Sequence, residues 1–310
     1  MPQISSRCIK LLSGFILLLC CFIFLINNFI YQFPGNNFFP ENIPLMAVLL
    51  ILVNLGLRLS FTKGSNLCLI GKELLYFFSV MVIIALATNA VQLTPFPTID
   101  HEIVALEKQV HVNISEIVNW TNNQPLFKNL LRVIYDTLPY QMSILPLMVI
   151  FTCRFYLLRE YYFLLLSTTL FGFGFYYFFP TTAPASVIDP TLFSVDQIAT
   201  GLKFSQIHHY IEPTTNDGGL IALPSFHAIW AILCVNLLRE WIIPCIILAV
   251  INVFLIASCV LLGWHYCTDL VGSIIVLLIS YYFLNYCHSR SSPNFQDSSV
   301  NVHVPFKSFE

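Results

Sequence analysis

Two histidines and one aspartate carry the strongest chemical signal in this chain of 310 residues. His265 and Asp269 lie four apart within Gly263-Trp264-His265-Tyr266-Cys267-Thr268-Asp269-Leu270-Val271-Gly272, so on a helix they share one face. A carboxylate under an imidazole fixes its tautomer, orients the ring and stabilises the cation. Upstream, Leu223-Pro224-Ser225-Phe226-His227-Ala228 forms a second polar island that opens an apolar run. Ser225 suits a helix N-cap, and the free N–H groups beyond it make an anion site. A phosphate held there meets His227 on one side and His265 on the other, and the Gly218-Gly219 pair lets the preceding loop come close. Titratable groups placed in a membrane helix are costly, which marks such a set as functional.

The elements that position these residues are membrane spans. The chain is 57% hydrophobic and 10% charged, against about 25% charged in soluble domains. Its 28 Phe and 14 Tyr suit lipid-facing and interfacial positions. A net charge of -2 with no basic stripe gives nothing for nucleic acid to bind. Six of the ten cysteines lie inside apolar runs and no Cys-x-x-Cys pair occurs, so they read as small buried hydrophobes. Cys267 beside His265 invites a metal, but no further ligands at metal spacing join them. Neither a metal nor another cofactor is expected.

Apolar runs of about the ~20 residues that cross a bilayer predict eight spans: residues 11–30, 43–61, 69–91, 138–156, 161–179, 225–238, 241–262 and 267–286. The expected fold class is therefore an all-α, polytopic membrane bundle. Residues 1–92 read as N-terminal spans, 93–287 as the membrane core and 288–310 as a polar, Ser-rich, disordered cytoplasmic tail. Between the third and fourth spans, Ile103, Leu106, Val110, Ile114 and Ile117 recur at helical spacing and predict one short amphipathic helix, with Glu107 interrupting its stripe. Residues 185–220, containing His208 and His209, read as a polar loop. Trp264 and Tyr266 read as interface anchors, and Asp136 as a cap of the fourth span.

With eight spans, Arg7, Lys10, Arg58, Lys63, Lys72, Arg154, Arg159, Arg239 and Arg290 fall on one side, which makes that side cytoplasmic. Both termini are then inside, and both histidine islands face the non-cytoplasmic side.

Pro224-Ser225-Phe226-His227 and His265-Tyr266-Cys267-Thr268-Asp269 resemble the second and third motifs of the type 2 phosphatidic acid phosphatase superfamily, in the form of its inositol phosphorylceramide synthase-like branch. The resemblance extends more loosely from Phe96 to Gly272 and leaves the first two spans aside. It implies a six-helix catalytic core and two-step phosphoryl transfer without metal. His265 would be the nucleophile, Asp269 would hold and polarise it, and His227 would protonate the leaving alcohol and then deprotonate the acceptor. Ser225 and nearby N–H groups would bind phosphoryl oxygens. Water as acceptor makes the protein a phosphatase; a lipid or polyol hydroxyl makes it a transferase. Phospholipid, sphingolipid and isoprenoid phosphate are the substrate classes in reach, with the bilayer as the other partner. The first motif of many members, Lys followed seven residues later by Arg-Pro, is absent. Lys203 and Arg132, with Lys128 one turn before Arg132, are the cations available in its place.

A non-catalytic transporter or lipid-binding scaffold of the same fold is the alternative, against which the His, His and Asp set argues. A serine protease is disfavoured because no Gly-x-Ser-x-Gly elbow surrounds Ser225.

Overall fold

The computed structural model describes residues 6–37, 39–215 and 219–291. Gly218, the side chain of Arg290 and the tail from 292 onward lie outside the described residues. Among those described, every regular element is helical. The N-terminal group is α1 (Ser6–Ile26), which runs into a π turn at Asn27–Tyr31, then α2 (Ile43–Ser60) and α3 (Asn66–Val91). Three short helices follow: α4 (Asp100–Gln109), α5 (Ile114–Asn122) and α6 (Pro125–Tyr135). Then come α7 (Leu138–Phe151), α8 (Phe155–Phe178), α9 (Val195–His208), α10 (Phe226–Leu237), α11 (Ile242–Leu261) and α12 (Cys267–Ser291).

The protein is a polytopic helical bundle. Six segments are long and apolar enough to cross a membrane: α1 with its π turn, α2, α3, α6 with α7, α11, and α12 as far as His288. Leu18, Leu59, Ile243 and Val253 stand exposed on outer faces, as lipid-facing positions do. The expected fifth and sixth spans are present as helices but differ in kind. α8 has 24 residues and runs through the centre, buried on nearly every side. Ser167, Thr168 and Thr169 dilute its apolar run, and their hydroxyls close back onto Leu164 and Leu165 carbonyls. α10 has only 12 residues, so its axis is about 18 Å long.

Two expectations are corrected. The single amphipathic helix is broken in two, because the chain turns between α4 and α5 with His111 at a φ of 61°. The polar loop contains α9, started by a capping box in which Ser194 and Gln197 bond reciprocally. His208 and His209 therefore sit at a helix end, and both His208 ring nitrogens meet carbonyls, of Phe204 at 2.9 Å and Thr94 at 2.7 Å.

At one end of the bundle three ion pairs tie helices together: Arg159–Glu73 at 2.6 Å, Arg239–Glu160 at 2.7 Å and Arg154–Glu240 at 2.7 Å. α10 leads away from that end and presents its N-terminus at the other, where the histidines meet.

Candidate active site

His265 lies in the turn between α11 and α12. Gly263 makes that turn with a φ of +81°, and an added Cβ there would lie 2.6 Å from the Phe193 ring. The imidazole thus precedes the helix, and its contact with Asp269 comes from the first turn of α12, not from one helical face as the spacing alone suggests. The outcome is the expected pair: His265 Nδ1 is 3.1 Å from Asp269 Oδ2. The same nitrogen is 2.9 Å from the Ala222 carbonyl. Both partners are acceptors, so Nδ1 carries the proton and the neutral ring keeps its lone pair on Nε2. Asp269 Oδ2 also accepts the Tyr266 N–H at 2.9 Å, and the carboxylate sits at a helix N-terminus.

His227 follows Ser225, the N-cap of α10. Its ring centroid stands 6.0 Å from that of His265, with the two rings tilted by 59°. Tyr135 stacks on His227 at 4.3 Å and 15°, and Trp264 stacks on the far side of Tyr135 at 5.5 Å. Tyr135 Oη is 3.3 Å from His227 Nδ1, but rings so nearly parallel put that oxygen over the imidazole, so stacking is the main contact.

Both histidines open into a cavity of about 370 Å³. Tyr135, Thr200, Trp264 and the carboxylates of Asp136 and Asp196 share its wall, and no Lys or Arg lines it among the described residues. Arg132 and Lys128 line a neighbouring space of about 130 Å³, which also touches Asp136, Asp196 and Trp264. Lys203 is buried in α9, one turn beyond Thr200, and does not line the cavity. Ser225 is fully buried and its Oγ is engaged, accepting from Ala228 N at 3.4 Å and facing Cys259 Sγ at 3.9 Å. The structure therefore gathers His227 and His265 with Asp269 behind, sets Arg132 next door, and uses Ser225 and Lys203 beneath the surface. Among the described residues no group of three His, Cys, Asp or Glu side chains is set to hold a metal ion, and no disulfide forms.

A second layer holds the His265 turn, and single-residue reading does not reveal it. Tyr266 is fully buried instead of anchoring an interface, and its hydroxyl donates to Asp100 Oδ1 at 3.0 Å. Asp100 Oδ2 accepts the Thr182 N–H at 2.9 Å and hydroxyl at 3.1 Å. Glu107, whose charge broke the apolar stripe, accepts from Thr268 N at 2.7 Å and Oγ1 at 2.9 Å and so ties the start of α12. α4 thus lays two buried carboxylates against the motif. On the other flank, an added Cβ at Gly272 would lie 2.7 Å from Leu223, so α12 presses on the loop before α10.

Burial pushes the Asp100 carboxyl up from 3.8 to about 6, against three donors that favour its charge. Between those values the unfolded chain gives up its proton while the folded one keeps it. Stability from this group is therefore lost as pH rises from about 4 to about 6 and is flat above. Asp100→Asn in detergent should lose that fall, on the order of 2–3 kcal/mol at most. Thermal unfolding of both proteins across the window checks it; parallel pH profiles would contradict the buried carboxyl. Burial raises Glu107 as well, so the comparison is made between the two proteins, not on one profile.

A family model described as the PAP2 superfamily matches residues 101–283, more than half of the chain. The match takes in α5 to α11, both histidines and Asp269, and excludes α1, α2 and α3. No curated protein and no solved structure matches the chain.

Proposed function

The chain belongs to the PAP2 superfamily, and from that premise we propose that it transfers a phosphoryl group from a membrane lipid through a phosphohistidine on His265. The observation that carries this reading is the His265 ring itself. Nδ1 is held by two acceptors, and Nε2 is left toward a cavity that His227 also enters. In the first half-reaction Nε2 attacks phosphorus, the P–O bond to the leaving alcohol breaks, and His227 supplies the alcohol's proton. In the second, His227 takes the proton of water or of an acceptor hydroxyl, whose oxygen attacks phosphorus as the P–N bond breaks. Asp269 stabilises the imidazolium that appears in between.

Phosphate release and head-group transfer stand as the two outcomes, with an inositol phosphorylceramide synthase-like transfer the finer version suggested by the motifs. The cations closest to a phosphate in the cavity are Arg132 and Lys128, which line the neighbouring space and share Asp136, Asp196 and Trp264 with it, whereas Lys203 stays buried behind Thr200. The outward-facing orientation is supported by the charged end of the bundle lying opposite the histidines.

One observation favours a second reading, a lipid-binding scaffold. Asp136 and Asp196 share the cavity wall, and two carboxylates there oppose a phosphate. The purified chain, given short-chain phosphatidic acid, phosphoinositide and ceramide acceptors, decides between them. Free phosphate or a new phosphosphingolipid is the expected product. Lipid retained without any turnover would establish the scaffold instead. Turnover should persist in excess chelator, because the histidines and Asp269 account for nucleophile, acid–base group and orienter. Full loss restored by Mg²⁺ or Zn²⁺ would reject that division of roles.

A further inference from the structure

Far from the histidines, three cations from three helices converge on one cleft. Lys10 near the start of α1, Arg58 at the end of α2 and Lys72 in the second turn of α3 line a cavity of about 470 Å³. Two helices start and one ends there, so the cleft lies at a single end of the N-terminal group. Tyr76 ties it to the charged end of the bundle: Lys72 Nζ is 6.0 Å from the Tyr76 ring and the Arg159 guanidinium 4.8 Å. α3 forms the floor, and Gly14 of α1 leaves the wall open, since nothing lies within 4 Å of where its Cβ would stand.

Among the described residues, no carboxylate faces these cations in the cavity wall. Glu73, beside Lys72 in sequence, turns inward and is taken by Arg159 at 2.6 Å. Lys10, Arg58 and Lys72 take part in none of the ion pairs among the described residues. Below the cations the cleft becomes apolar, with Leu17, Val80 and Ile83 along its length. A cationic mouth over an apolar slot matches an anionic head group on acyl chains, and basic pockets between membrane helices bind such lipids. A soluble anion would leave the slot unused.

We propose that the α1–α2–α3 cleft binds an anionic phospholipid, at a site separate from the histidine pocket and carried by helices outside the family match. The site does not depend on the activity proposed above, and its test reads binding, not turnover.

The full chain is reconstituted in phosphatidylcholine vesicles carrying spin-labelled phosphatidylserine or, in parallel, spin-labelled phosphatidylcholine, and the motionally restricted fraction of each is measured. The wild type should prefer the anionic probe. A basic side chain near such a surface is worth about fivefold, so Arg58→Gln should lower the preference about fivefold. Lys10→Gln, Arg58→Gln and Lys72→Gln together should lower it about a hundredfold. Lys63→Gln, in the turn between α2 and α3 and outside the cavity wall, should leave it unchanged, as should Lys72→Arg. Arg58→Gln changes only an exposed side chain at a helix end and keeps the test valid if the triple variant does not fold. The proposal is overturned if the wild type shows no preference, or if folded variants keep it. It is overturned too if Lys63→Gln lowers it as much as Arg58→Gln, or if inorganic phosphate displaces the labelled lipid.

Discussion

Replacing His265 with asparagine should abolish both phosphate release and head-group transfer, by on the order of 10⁴-fold or more. Asparagine is the sharper test because its amide donates where Nδ1–H does, toward the Ala222 carbonyl and Asp269, but it has no counterpart to Nε2. The variant should therefore fold, bind lipid and fail at the first bond-making step. His265→Ala should be equally inactive, with some loss of stability from the buried donor. The direct measurement is acid-labile, base-stable radiolabel on the protein after brief mixing with ³²P-labelled lipid. Label that persists in His265→Asn would place the nucleophile elsewhere and remove the basis for assigning Asp269 as its partner.

The second large effect is expected at His227, and it should depend on the substrate. His227→Ala should slow transfer from lipids with alkoxide leaving groups by about 10²–10⁴-fold, the usual worth of general acid–base help. A nitrophenyl phosphodiester, whose leaving group needs no proton, should be spared in the burst of nitrophenolate. The split is the informative part. His227 stacks on Tyr135 at 4.3 Å, so a merely structural loss would damage both substrates alike. Equal loss on both would remove His227 from proton transfer and leave it a packing role.

Much of this arrangement was legible in the sequence because membrane helices announce themselves locally. The predicted runs at 43–61, 241–262 and 267–286 end within a few residues of α2, α11 and α12, since hydrocarbon satisfies no backbone group and forces helix wherever the chain is apolar. The His265–Asp269 contact was legible from a spacing of four, although a turn into α12 delivers it. What stayed hidden depends on distance along the chain. Asp100 meets Tyr266 across 166 residues and Glu107 meets Thr268 across 161, and no local pattern encodes such partners. Glu107 still left a trace as the charge that spoiled an apolar stripe. α9 left a clearer one: Ser194 followed three residues later by Gln197 is a capping-box spacing. Ser225 shows the opposite case, a residue suited to binding phosphate whose hydroxyl goes to its own helix.

The brevity of α10 bears on where the substrate is met. About 18 Å of helix separates the Arg239–Glu160 pair from His227, whereas the hydrocarbon slab is about 30 Å deep. With the Arg239–Glu160 pair at one membrane surface and α10 along the membrane normal, the His227 imidazole would stand below the opposite surface instead of above it. A phosphate ester then has no need to be pulled out into water; the head-group layer has to dip to reach the protein. Such a dip is easier in a thin bilayer than in a thick one. Membrane thickness becomes a variable in the rate, and lipids of graded acyl length at constant head group would trace how far the interface must bend.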